Sequence, residues 1–152
     1  MNSLRRSFLK FSAAAGALAA AGLFKTTHAL ATAWNKAGFE SKALADALKA
    51  LGASNAASSR DIVINAPDVA ENSAAVVIEV TSRIPGTQSI SILAEKNPFP
   101  LVATLNFAGG AEPYAYVRIK MGQTSNVRAV VAAGGKFFTA VKEVKITIGG
   151  CG

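Results

Sequence analysis

Apolar residues follow three different spacings along the chain. Residues 11–24, "FSAAAGALAAAGLF", form an almost unbroken run of small apolar side chains. From Lys36 to Leu51, "KAGFESKALADALKAL", Leu44, Ala47, Leu48 and Leu51 recur at helical spacing and Gly52 follows as a natural stop. This predicts a helix over 36–51. "GASNAASSR" then reads as a linker of small residues. Beyond Asp61 the period drops to two, which predicts strands at Ile62–Ile64, Ala75–Ser82, Gln88–Ala94, Leu101–Phe107, Tyr114–Met121, Asn126–Ala132 and Lys136–Ile148. The last of these is expected to break near Lys142. Turn chemistry separates the strands: "RIPGT", "EKNPFP", "AGGAEP", "MGQTS" and "AGGK".

Short strands at this spacing, with no helices between them, predict a mainly β fold. The expected form is an immunoglobulin-like antiparallel β-sandwich over about 61–148, preceded by the helix; a closed barrel is the competing architecture. No internal repeat is apparent. Phe107, Tyr114, Tyr116, Phe137 and Phe138 are read as core and cross-strand packing, and Arg118 and Lys120 as a solvated face. Trp34 is expected to staple the helix to the sheet or to a partner. Asp61, Asp68, Glu71 and Glu79 show no paired-acid spacing that suits catalysis.

The first run has a different explanation. It follows the basic segment "LRRSFLK" and precedes "KTTHALATAW", so a basic region, about 14 apolar residues and a small-x-small site occur in order. That is the layout of a secretory signal peptide over 1–31, with cleavage expected after Ala29-Leu30-Ala31 or, second, after Ala31-Thr32-Ala33. Arg5 and Arg6, followed by Phe8, Leu9 and Lys10, resemble the twin-arginine signal that exports folded proteins, with Leu4 where that motif carries Ser or Thr. The run is short and weak for a membrane anchor. The expected location is therefore the periplasm, and residues 32–152 are the expected mature domain.

Charge looks different once the signal is set aside. The chain carries 16 Lys and Arg against 9 Asp and Glu, a formal +7. Arg5, Arg6, Lys10 and Lys25 belong to the signal, which leaves 12 basic residues and about +3. No concentrated basic patch for nucleic acid remains. His28, the one histidine, also belongs to the signal. The mature chain then has no Ser-His-Asp or Cys-His arrangement, no usual zinc ligand set and no c-type haem attachment site. No cofactor and no metal are expected.

What remains is Cys151, the chain's one cysteine, in "VKITIGGCG". Gly149, Gly150 and Gly152 strip side chains from around the sulfur and free the backbone. From Ile148 to Cys151 is about 10 Å of extended chain, enough for a flexible arm (149–152) that enters a narrow channel. An exposed thiol without a purpose is an oxidation hazard. The carboxylate of Gly152, at about 6 Å in water, disfavours the thiolate by about 0.7 kcal/mol, so activation must come from a partner.

The tail "GGCG" after "KEVKITI" resembles the SoxY family, the sulfur carriers of the bacterial thiosulfate-oxidising Sox system. "ALKALG", "APDVAENSAAVVIEV", "EKNPFPLVA" and "RIKMGQTSNVRAVV" fit the same family in the same order. The family's tail reads GGCGG, one glycine longer. The resemblance implies a carrier and not an enzyme. Cys151 would hold the substrate as a cysteine S-thiosulfonate. Implied partners are SoxZ, as a heterodimer, and SoxAX, SoxB and in some organisms SoxCD, as transient enzymes. Two other classes stay open: a thiol enzyme such as a peroxidase or sulfurtransferase, and a structural module joined through an intermolecular disulfide.

Overall fold

The computed structural model describes residues 34–147. Two short helices come first, α1 (Lys36–Glu40) and α2 (Leu44–Ala50). The single helix expected over 36–51 is therefore divided. Ser41 is extended (φ −64°, ψ 131°), and its hydroxyl donates to the Ala37 carbonyl at 2.6 Å, a local bond that competes with continued helix. Asn35 ties the two pieces together. Its Oδ1 accepts from Gly38 N and its Nδ2 donates to the Ala50 carbonyl, each at 3.0 Å. Gly52 ends α2 at φ 75°, with Gly52 N on the Lys49 carbonyl and Ala53 N on the Leu48 carbonyl, a Schellman closure.

Nine strands follow: β1 (Ala57–Ser58), β2 (Ile62–Asn65), β3 (Val69–Ala70), β4 (Val76–Ser82), β5 (Thr87–Ala94), β6 (Leu101–Asn106), β7 (Tyr114–Ile119), β8 (Ser125–Ala133) and β9 (Lys136–Ile146). The larger sheet has the order β1-β9-β8-β5-β6, with β3 also pairing β9; the smaller is β2-β4-β7. The chain is mainly β and neither sheet closes on itself, so the barrel alternative fails. Pairing is not wholly antiparallel, because β1 and β3 run parallel to β9. Both are two residues long, too short for alternation to reveal, and β1 lies inside the segment read as linker. The β8–β9 hairpin turns on Gly134 and Gly135 (φ 56° and 73°), as a two-residue turn matched to strand twist requires.

Alternation decides which residues the two sheets share. Val76, Ile78 and Val80 of β4 point into one apolar cluster with Ile90 and Ile92 of β5, and with Val127, Ala129 and Val131 of β8. Burying each large aliphatic side chain there contributes about 1.5–3 kcal/mol. The intervening Leu93 and Val130 are buried too, on the opposite face of the larger sheet. There they meet Leu101, Phe39, Leu44, Leu48 and Phe137, so the helices cover that face and the second half of β5 is buried on both sides. Part of the same face stays polar: Arg128 pairs with Glu95 at 2.6 Å, and Asn126 donates to the same carboxylate.

The aromatic residues divide. Phe107 and Phe138 pack against the main core and Phe137 against the helices. Tyr114 and Tyr116 are 42% and 48% exposed on the outer face of the smaller sheet, opposite Thr81 and Glu79, so for them the core assignment is corrected. Arg118 and Lys120 are exposed. Trp34 packs on the first helix. It stacks on Phe39 of α1, ring centroids 4.3 Å apart and planes 9° from parallel, and remains 69% exposed. Among the described residues no helix is long and apolar enough to cross a membrane.

Candidate functional site at the end of β9

Cys151, Gly149, Gly150 and Gly152 lie outside the described residues, as do Arg5 and Arg6. The structure shows the base from which the tail departs. β9 is one unbroken strand through Lys142, contrary to the expected break. Lys142 stands opposite Val127 and level with core positions, where a charge without a partner would be costly. Its Nζ donates to the Ala66 carbonyl at 2.6 Å and pairs with Asp68 at 3.1 Å. The strand continues because the charge is met by the loop before β3.

That loop in turn holds the end of β9. Lys145 N donates to the Asp68 carbonyl at 2.9 Å and Thr147 N to the Ala70 carbonyl at 3.2 Å. On the other side, Ile146 N donates to the Thr124 hydroxyl at 2.9 Å. Ala70 and Val144 are buried, and Ile146 packs against the core. The backbone is thus bonded on both sides up to Thr147. Four residues carry the chain from there to Cys151, at most about 14 Å when extended.

This reach fixes what the tail can meet on its own domain. A surface pocket of about 610 Å³ is lined by Arg83, Ile84, Thr87, Phe107 and their neighbours. It lies by the β4–β5 turn, level with the start of β9, since Thr87 pairs Ala133 and Ala133 pairs Lys136. Ten residues of β9 separate that level from Ile146, about 33 Å. The tail cannot return to the pocket along β9. Among the described residues no three His, Cys, Asp or Glu side chains gather to hold a metal. Asp61, Asp68 and Glu79 are each occupied locally, by Ser59, Lys142 and Asn65.

The profile of one family, "Sulfur oxidation protein SoxY", matches residues 47–151, a span that includes Cys151. The chain belongs to the SoxY family. Within it, a solved structure is similar: the sulfur carrier protein SoxY from Chlorobium limicola f thiosulfatophilum. It is 40% identical, covers 70% of this chain and 94% of its own, and superposes with a TM-score of 0.63. An engineered protein of known structure is 17% identical over 57% of this chain and 20% of its own, with a TM-score of 0.40, too low to bear on the SoxY fold. No curated protein matches the chain.

Sequence reasoning identified the SoxY-type tail but not the residues that hold its base. Asp68, Ala70, Thr124 and Lys142 lie within segments that fit the family, but nothing in the sequence marks them as the residues that hold the tail's base. The one signal is Lys142, a charge in step with inward-facing positions, which favours a break unless a partner meets it.

Proposed function

We propose that this chain is the covalent carrier of sulfur intermediates in periplasmic thiosulfate oxidation, with Cys151 as the attachment point. The observation that supports it most is the layout of the tail: the chain's one cysteine sits among glycines, four residues beyond Thr147, where the backbone bonds that hold the end of β9 stop. A carrier needs such a division, a fixed root and a slender tip. The family, and the sulfur carrier from Chlorobium, agree with it.

Loading joins the Cys151 thiolate to the outer sulfur of thiosulfate. The new S–S bond releases two electrons, which pass to the haem enzyme SoxAX. The adduct, a cysteine S-thiosulfonate, is then hydrolysed by SoxB: water supplies the fourth oxygen of sulfate, two protons leave, and a persulfide stays on Cys151. Where SoxCD is present it oxidises that sulfane sulfur. This chain supplies no base or metal to these steps; it presents the sulfur. Gly149, Gly150 and Gly152 keep the arm narrow enough to enter each enzyme. The two open sheets around one core support an immunoglobulin-like sandwich, which pairs with SoxZ. Arg5 and Arg6 direct export through the twin-arginine pathway, and the mature domain begins near residue 32.

Intact-mass analysis after incubation with thiosulfate and SoxAX tests this. The expected result is a sulfur-containing addition on Cys151, removed by reductant and absent from Cys151→Ser. Adducts that persist in that variant would end the carrier assignment.

A further inference from the structure

The main ladder of β9 ends before β9 does. Its nine register pairs with β8 stop at Ser125 opposite Val144, two residues short of the strand's end at Ile146. Beyond that point β8 has no backbone to offer, because the chain turns there towards β7. The turn is tied at each step. Met121 N donates to the Ser73 carbonyl at 2.8 Å, Gly122 N to Asn97 Oδ1 at 3.2 Å, and Gln123 Nε2 to the Lys96 carbonyl at 3.4 Å. On the other side β3 pairs two residues only, and the chain after it turns at Asn72, which accepts from Ala74 N and Ala75 N.

A strand end with so little beside it would fray. Instead each of the next three amides has its own acceptor, on alternating sides. Lys145 N and Thr147 N use the Asp68 and Ala70 carbonyls, and Ile146 N uses the Thr124 hydroxyl at 2.9 Å. A threonine oxygen thus stands in for the ladder carbonyl that β8 no longer supplies. Of the three side chains only Ile146 packs against the core; Lys145 and Thr147 are exposed. Burial does little to hold this segment, and the three bonds do most.

Those bonds set a length. From Thr147, four residues reach Cys151, about 14 Å at full extension; from Val144, seven residues would reach it, about 25 Å. We infer that Thr124, with the β3 carbonyls, is a positioning residue that fixes the origin of the arm at Thr147 and so sets the reach of Cys151. This rests on the carrier reading of Cys151. A tether longer than the span it must cover dilutes the group at its tip. Effective concentration falls as about the −3/2 power of tether length, so going from four residues to seven costs about twofold. If the bonds only guarded a strand end, freeing them would change amide exchange and nothing else.

Four variants separate these roles. Thr124→Val removes the acceptor and keeps the branched shape. Combined with Lys142→Met, which loosens the loop before β3, it frees the root from both sides. Thr124→Ser keeps a hydroxyl. In the fourth, Gly-Ser-Gly inserted after Ile148 gives a longer arm on an intact root. Exchange at the Ile146 amide should quicken in both Thr124→Val proteins and not in Thr124→Ser. Single-turnover loading with thiosulfate at saturating SoxAX reads delivery within the docked pair. It should slow about twofold or more in the freed-root and inserted proteins alike. Thr124→Ser should load as the wild type does, and small thiol reagents should label Cys151 equally in all four. Unchanged exchange at Ile146 in Thr124→Val overturns the role of Thr124. Wild-type loading in the inserted protein, or in the freed-root protein despite faster exchange, overturns the fixed reach. A wild type that takes no thiosulfate is a different failure, which ends the carrier reading and this inference with it.

Discussion

Lys142 Nζ and the carbonyl oxygen of Ala66 lie 2.6 Å apart, a bond between residues 76 positions apart in the chain. It fastens the loop before β3 to the strand that leads into the tail. The neighbouring Asp68 carboxylate is 89% exposed, so its Coulomb attraction to Lys142 is screened and contributes little. The carbonyl bond is the stronger fastening. Through it the loop is held where Asp68 and Ala70 accept from Lys145 and Thr147.

Lys142→Met should therefore loosen the root of the tail without emptying the core. The expected loss is about 1–2 kcal/mol, that of one charge-assisted hydrogen bond at a partly exposed site. Hydrogen exchange should quicken at the amides of Lys145 and Thr147 while those of Ile90 and Ile92 stay protected. Equal protection at Lys145 and Thr147 in both proteins would show that β3 holds β9 unaided.

Tyr114 gives a prediction in pH. Its phenol is held above the ordinary 10.0 by desolvation from the atoms around it, and further by Glu79, Tyr116 and Glu112. The folded chain then keeps a proton that the unfolded chain has released. Stability is unaffected below 10.0 and falls as pH rises beyond it. The chain has two tyrosines, so Tyr116→Phe leaves one phenol to follow by its ultraviolet absorbance. That signal should titrate above 10.0. Denaturant midpoints should drop more steeply at alkaline pH in the wild type than in Tyr114→Phe. A midpoint titration at or below the ordinary value would refute the assigned environment.

Alternation revealed the long strands because each buries one face: Val76, Ile78 and Val80 read as a strand before any partner is known. It could not reveal β1 or β3, whose two residues are held by what β9 offers them. Nor could helical spacing show the break at Ser41, since a side-chain bond to Ala37 decides it locally. Aromatic rings bury well, which favours core and cross-strand packing for Tyr114 and Tyr116. Parity with the inward Ala115 sets them outside instead. The tail was legible for a different reason: "GGCG" is a chemical signature that needs no fold to be recognised, whereas its root depends on Lys142, Ala66 and Thr124, which meet only in three dimensions.

Export is testable without the fold. If Arg5 and Arg6 form the proposed twin-arginine signal, changing both to lysine should keep the chain in the cytoplasm. If SoxZ folds with this chain before transport and travels as its passenger, SoxZ should be retained as well. Fractionation with immunoblotting reads both chains at once. SoxZ found in the periplasm of that mutant would show separate routes.

The arm can be tested by Gly149→Val together with Gly150→Val. Valine restricts the backbone, favours continuation of β9 and adds width where an enzyme channel must close around the chain. The core between the sheets is built by described residues that the two changes leave alone, so stability should change by no more than about 0.5 kcal/mol. Small thiol reagents should still label Cys151, since the sulfur remains at the tip. Thiosulfate loading by SoxAX and sulfate release by SoxB should both fall by orders of magnitude. The two chemistries share nothing but the need to admit the same few residues within about 14 Å of Thr147. A lesion in one enzyme's recognition alone would slow one step and spare the other. Loss of both with unchanged labelling and unchanged thermal stability is the signature of an arm too wide to enter. Normal turnover with both enzymes would mean that the glycines are incidental and that the sulfur is reached from outside.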